Sequence, residues 1–181
     1  RVQGFSDNDL NDTGLKQAEQ LALSLKDHQI RSIHSSPLIR AMRTARIVNQ
    51  YHNAPIHLEP DLMEMNQGDF EGLSFLDLMI REKDFLEKWI SDPASVRLPS
   101  GETFNELQDR AWKAIEAISR KHDAALVVSH SFTIAAILCK IKSIGLSDFR
   151  SVHVDTASKT IVRFLKGSAS IEVFNDRLHL T

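Results

Sequence analysis

Only one cysteine, Cys139, occurs in the 181 residues, inside the apolar stretch TIAAILCKI. A disulfide framework and most thiolate metal sites are thereby excluded, and a reducing, cytoplasmic setting is expected. No apolar run approaches the roughly 20 residues that span a bilayer, and nothing resembles a signal peptide; no membrane partner is expected. Neither sign of charge is in excess, since 22 Lys plus Arg face 24 Asp plus Glu for a net charge of -2. Without a global basic field nucleic acid is not an expected partner, so any anion site must be local. The eight histidines show no metal-ligand spacing. GxxxxGK[ST], GxGxxG, HExxH and GxSxG are all absent, which removes the phosphate-binding loop, the dinucleotide fingerprint, the zinc-protease helix and the nucleophile elbow. No metal and no cofactor are expected.

What is present reads as one domain over residues 1–181 with a helical excursion over 74–100. Asn11, Asp12 or Thr13 is placed to cap a helix carrying Leu15, Ala18, Leu21, Ala22 and Leu25 at helical spacing. RSIHSS is a short strand candidate, followed by a helix that Ser36 would cap with Pro37 at its first helical position. IHLEPDLMEM reads as a strand and its exit, NQGDFEG as a tight loop, and 74–89 as one charged amphipathic helix. Phe104, Leu107, Ala111, Ala114 and Ile118 mark a long helix introduced by Ser100 and Gly101. AALVV then gives a strand of the kind buried on both faces, SHS its exit, and an apolar helix follows. Two strand-like runs around a Lys-Gly-Ser turn close the chain. Strands alternating with helices predict an α/β fold, a three-layer α/β/α sandwich on a mostly parallel central sheet.

Two strand-to-helix junctions carry chemistry. In SSPLIRAMRTA, Arg40 and Arg43 lie in the first two turns of a helix whose N-terminus is already partly positive. A phosphate there would be gripped by free N–H groups, the Ser36 hydroxyl and a bidentate guanidinium; otherwise Ser36 merely caps the helix and the arginines are solvated or paired. In VVSHSF, His130 stands at a strand exit, with Ser131 placed to cap the next helix. If both strands are neighbours in one parallel sheet, their exits meet and Arg40 and His130 face one pocket. Glu64, just past another strand, is a candidate general acid if its surroundings raise its pKa. Asp69 and Glu71 compete with it in the following loop.

These motifs, in this order, resemble the histidine phosphatase superfamily, also called the phosphoglycerate mutase-like family. The resemblance runs over nearly the whole chain, through RVQGFSDNDLNDTGLKQAEQLA, IHSSPLIRAMRTA, LMEMNQGDFEG, SGETFNELQDRAWKAI, VVSHS and FNDRLHL. It implies a phosphomonoesterase that acts on a small phosphorylated metabolite through a phosphohistidine. Arg40 is then a phosphate-binding arginine, Glu64 the proton donor, and protonated His130 the second pocket histidine on the phosphate oxygens. Gln3, Ser36 and Ser131 line the pocket, and a homodimer is compatible with the family. GDFEG resembles the phosphatase branch; a phosphoglycerate mutase, or a phosphate-binding relic without turnover, are the alternatives. Three departures stand out. No Arg-His-Gly occurs, so the nucleophilic histidine and its strand are expected upstream of Arg1 and the 181 residues alone are expected to be inactive. Ser131 stands where the family has glycine, and Asp9-Leu10-Asn11 replaces Pro-Leu-Thr.

Overall fold

Asn11 sets the start of the first helix: its side-chain oxygen accepts the Gly14 N–H at 2.8 Å, satisfying one of the donors a helix leaves free. The computed structural model describes residues 1–165 and 167–180, and in it this helix, α1 (Asp12–Leu25), buries Ala18, Leu21, Ala22 and Leu25. It packs on α2 (Ile39–Asn49), whose Ala41, Ala45 and Val48 are buried. α5 (Phe104–Lys121) opens on a reciprocal cap between Thr103 and Glu106 rather than on Ser100. Its apolar stripe packs against α6 (Ser131–Lys142), in which Ala135, Ala136, Ile137, Leu138 and Cys139 are all buried.

Between these helix pairs runs a parallel sheet of three strands in the order β2 (Ile56–Leu58), β1 (Ser32–Ser35), β3 (Ala125–Val128). Register sets His34 beside both His57 and Val127. Successive side chains of a strand point to opposite faces. Accordingly Leu126 packs with Leu21, Leu25 and Val48 of α1 and α2, while Val127 packs with Ile118 of α5 and Ile137 of α6. This is the three-layer α/β/α arrangement that the alternation of elements predicts. The middle strand, β1, is buried at all four positions.

β3 does not match its composition. Its Ala-Leu-Val-Val run is that of a strand covered on all sides, yet none of its residues is fully buried. One edge pairs with β1 and the other with no strand among the described residues. The closing strands, β4 (Lys159–Leu165) and β5 (Ser168–Asp176), pair antiparallel with each other as a separate sheet; Lys166, in the turn expected between them, lies outside the described residues. Along the open edge of β3 and along β4 runs a groove of about 1910 Å³, walled by apolar side chains such as Leu21, Ile115, Ile137 and Ile161.

The segment expected as one helix over 74–89 is two. α3 (Phe75–Arg81) and α4 (Lys83–Ser91) meet at Glu82, whose backbone (φ -122, ψ 35) leaves the helical region. Leu78 of α3 and Phe85 and Trp89 of α4 still reach one cluster with Phe70 and Phe104, as their i, i+7, i+11 spacing would place them on one helical face. No described helix is long and apolar enough to cross a membrane.

The loop after Glu64 is locked to the 99–101 turn. Asp69 N–H bonds the Pro99 carbonyl at 2.9 Å, and Gly68 sits at φ +53 where a Cβ would lie 1.9 Å from that same oxygen. Gly68→Ala is expected to lower the unfolding free energy by about 1–3 kcal/mol, measured by urea denaturation; unchanged stability would contradict this packing.

Candidate active site

The three strands deliver their exits to one end of the sheet, where ligands of open α/β folds bind. Ser36 follows β1, Glu64 lies past β2, and His130 follows β3. Arg40, Glu64, His130, Ser131 and Gln3 all border the groove described above. Ser36 is fully buried behind them, its Oγ 2.7 Å from His130 Nε2. The structure thus brings together the residues named from the sequence motifs.

Arg40 and Arg43 part company. Arg43 pairs with Asp9 at the surface, whereas Arg40 Nη1 and Nη2 donate to the Ser6 and Gly4 carbonyls at 2.8 and 2.9 Å. A guanidinium has five donors, so Arg40 ties the N-terminal loop beside the groove and keeps three for a ligand. Ser36 does not cap α2 as expected. Asp7 does so from across the chain, accepting the Ile39 N–H at 2.7 Å, and Ser36 turns to His130.

Glu64 is only 5% exposed. Its Oε1 accepts from Met65 N–H (2.9 Å), Thr133 N–H (3.2 Å) and the Thr133 hydroxyl (3.3 Å). Its Oε2 accepts from Phe132 N–H (3.3 Å) and the Ser131 hydroxyl (3.4 Å). The carboxyl therefore serves the free N–H groups of α6, whose N-cap residue, His130, makes no side-chain cap bond. Ser131, expected to cap α6, is instead its first residue, exposed and turned to Glu64. Burial raises the pKa of Glu64 above its ordinary value and outweighs these donors, which lower it. The two rival carboxylates are occupied elsewhere: Asp69 takes the Ser100 hydroxyl at 3.0 Å, and Glu71 takes the N–H groups of Phe5 and Ser6, both at 2.6 Å. Burial pushes Glu71 up, but those donors outweigh it and hold the carboxyl below its usual range.

The protonated His130 expected from the resemblance concerns the phosphate-bound state; without a ligand the ring is different. Burial, with the positive charges of Arg40 and Arg110 nearby, lowers its pKa to about 3, so the ring is neutral near pH 7 and the proton must come with an anion. His34 and His57 border a separate cavity; His34 is held there by Glu59 at 2.8 Å and Ser32 at 3.2 Å. Among the described residues no group of His, Cys, Asp and Glu is set to hold a metal ion.

Sequence reasoning missed Arg110. From the buried side of α5 its Nη1 donates to the Asp61 and Met63 carbonyls, both at 2.8 Å, and its Nη2 to the Glu64 carbonyl at 2.8 Å and Glu102 Oε1 at 2.7 Å. Nε completes the set on Glu102 Oε2 at 3.0 Å. The available signal was an arginine between the buried positions Leu107 and Ala111, on a face that otherwise reads as core.

The family model described as histidine phosphatase superfamily (branch 1) matches residues 1–177. A metal-independent phosphoserine phosphatase of Arabidopsis thaliana is 34% identical over 186 residues, spanning 100% of this chain and 76% of that protein. Among solved structures, Bacillus stearothermophilus YhfR superimposes with a TM-score of 0.94 at 25% identity, covering 100% of this chain and 91% of its own. The α-ribazole phosphatase of Shigella flexneri gives a TM-score of 0.86 at 26% identity, covering 97% and 88%.

Two outcomes are expected from this geometry. Arg110→Met leaves the mostly buried Glu102 carboxylate unpaired and should cost about 3 kcal/mol of stability in urea unfolding; a loss no larger than that of a surface change would contradict the clamp. The second concerns acid. Below pH 6.5 the unfolded chain protonates His130 while the folded chain resists until about pH 3, so this residue makes stability fall as pH falls through that window. His130→Asn should flatten that part of the stability-versus-pH curve, and an unchanged slope would count against a neutral buried ring.

Proposed function

The chain belongs to the histidine phosphatase superfamily, and from that premise we propose a phosphomonoesterase that hydrolyses small phosphorylated metabolites through a phosphohistidine. The observation that carries the reading is the meeting, on one groove, of a guanidinium with free donors, a buried imidazole and a carboxyl whose burial favours its protonated form. Arg40 and His130 hold the phosphoryl oxygens, where charge must be stabilised during transfer. Ser36 orients the His130 ring, and Gln3 and Ser131 border the same space.

The attacking imidazole belongs, in this reading, to a further strand paired between β3 and β4. The open edge of β3, the unmatched exposure of its apolar residues and the size of the groove support it. A small-ligand pocket occupies about 300–1,000 Å³, so the space holds more than a phosphate ester. That imidazole forms the N–P bond as the P–O bond to the leaving group breaks, and the departing oxygen takes the Glu64 proton. Water then attacks phosphorus, the N–P bond breaks, and a proton returns to Glu64.

Hydrolysis is favoured over a mutase. A mutase must retain a bisphosphate intermediate, which calls for extra cations near the pocket. None of Arg81, Lys83, Lys88 and Arg97 in the 74–100 segment borders the groove, and of the further cations that do border it, Arg1 is engaged by the Gly72 carbonyl, Arg150 by those of Trp89 and Ile90, Lys159 by Asp176 and Arg163 by Glu172. The same segment contributes Phe75, Phe85 and Trp89 to the groove wall, and we place the reading of the substrate's organic part there. The phosphoserine and α-ribazole phosphatases named above act on small phosphate monoesters, which is the substrate class proposed here.

The test is turnover of phosphate monoesters by the full-length enzyme with a chelator present, together with trapping of an acid-labile phosphohistidine. Arg40→Ala and His130→Ala should each lower kcat/KM by about 10²-fold or more, while Lys16→Ala, on the exposed face of α1, should not. Comparable losses in all three would refute the assignment.

A further inference from the structure

We propose that His34, His57 and His122 form an acid-sensitive lock, which fastens the edge strand β2 to the middle strand β1 while the rings are neutral and releases it in mild acid. The inference is independent of the phosphatase reading and concerns the separate cavity of about 380 Å³. β2 contributes no fully buried side chain, so apolar burial does little to hold it. A short ladder joins it to β1, in which the Ile33 N–H bonds the Pro55 carbonyl and the Glu59 N–H bonds the Ser35 carbonyl, both at 2.9 Å. The rest of the attachment is a joint of polar side chains. His34, only 3% exposed, lies beneath it. Its ring stacks on His57 of β2 with centroids 4.9 Å apart and planes 20° from parallel, and meets His122, just past α5, edge-on at 4.7 Å. Glu59, at the β2 exit, lies 2.8 Å from His34 Nδ1, and Ser32 Oγ lies 3.2 Å from Nε2. A carboxylate only accepts, so Nδ1 carries the hydrogen and the neutral ring accepts the Ser32 hydroxyl at Nε2. Both ring nitrogens are thus satisfied without a charge.

The charged groups around the joint cancel. Lys113 and Lys121 of α5 face Glu59 and Asp61 of the β2 exit across the cavity, and Arg31 and Asp123, next to Ser32 and His122 in the chain, pair with each other. A proton on any of the three rings is therefore unbalanced, and a second would set like charges on rings whose centroids are no more than 5.9 Å apart. Burial lowers the pKa of His34 below its ordinary value; the His122 and His57 rings act in the same sense and Glu59 opposes them. Lifting β2 takes His57 and Glu59 away from the ring and returns it to water, where a histidine titrates near pH 6.5. The open form then binds more protons than the closed one below that pH, so opening becomes easier as pH falls, whereas above it neither form binds a proton and the lock holds. From β2 the chain runs on through Asp61 and Met63 to Glu64, so the lock anchors the near end of the segment that carries Glu64.

Amide hydrogen exchange of the full-length protein, corrected for the intrinsic pH dependence of exchange, reads this opening at Ile33 and Glu59, whose N–H groups bridge the two strands. A single proton can raise the opening constant by at most about 10-fold between pH 7.5 and 5.5, and protection at both amides should fall by about 3-fold or more over that range. His130→Asn, which removes the other acid-sensitive buried ring, should leave this fall intact, and His34→Phe should abolish it. A smaller fall in the unaltered protein, its loss in His130→Asn, or its persistence in His34→Phe overturns the lock. Should His34→Phe fail to fold, the ring itself decides by NMR. At pH 6 the His34 ring should still give the signals of the neutral form, and a ring already protonated there, with Ile33 and Glu59 as protected as at pH 7.5, overturns the lock as well.

Discussion

All five N–H donors of one side chain, Arg110, are spent on three backbone carbonyls within residues 61–64 and one carboxylate. That saturation is the constraint on which the site depends. By gripping the carbonyls of Asp61, Met63 and Glu64 it fixes the chain just where the Glu64 side chain departs toward α6. Only with the loop held there can the carboxyl reach the free N–H groups at the start of α6, beside His130. A helix N-terminus by itself favours an ionised carboxylate, and the donors from Phe132 and Thr133 act in that sense. Desolvation is the larger effect and reverses the outcome. The site therefore biases a buried carboxyl toward its protonated form next to a guanidinium, a bias that exposed groups would not have.

The N-terminal loop is fastened by the same logic of complete satisfaction. Glu71 takes the Phe5 and Ser6 N–H groups, Arg40 takes the Gly4 and Ser6 carbonyls, and Asp7 caps α2. Residues 4–7 read from the sequence as a polar turn, yet they are held in one place beside the groove because Glu71 and Arg40, from distant elements, bond their backbone while Asp7 reaches out to α2. Arg40 is at once a fastener and a ligand candidate, and its unused donors are what distinguish it from Arg110.

Much of this was legible beforehand because it is local. The Asn11 cap, the stripe of α1, the apolar run of α6 and the strand-to-helix junctions at Ser36 and His130 all follow from spacing and end signals within a few residues. What escaped is non-local. Arg110 meets partners 46 to 49 residues away, and Asp7 reaches Ile39 over 32. The groove was half legible. The composition of residues 124–128 demands cover on both sides, and the exposure of β3 shows where that cover is wanting among the described residues. An open, apolar strand edge is a ready template for another strand.

The most direct measurement is a crystal structure of the full-length enzyme with orthovanadate, whose shape matches a phosphoryl group in transfer. The account predicts the anion in contact with the Arg40 guanidinium and the His130 ring, with an apical oxygen on the side of Ser131 and Glu64. Vanadate bound elsewhere, with Arg40 engaged solely by Gly4 and Ser6, would contradict it.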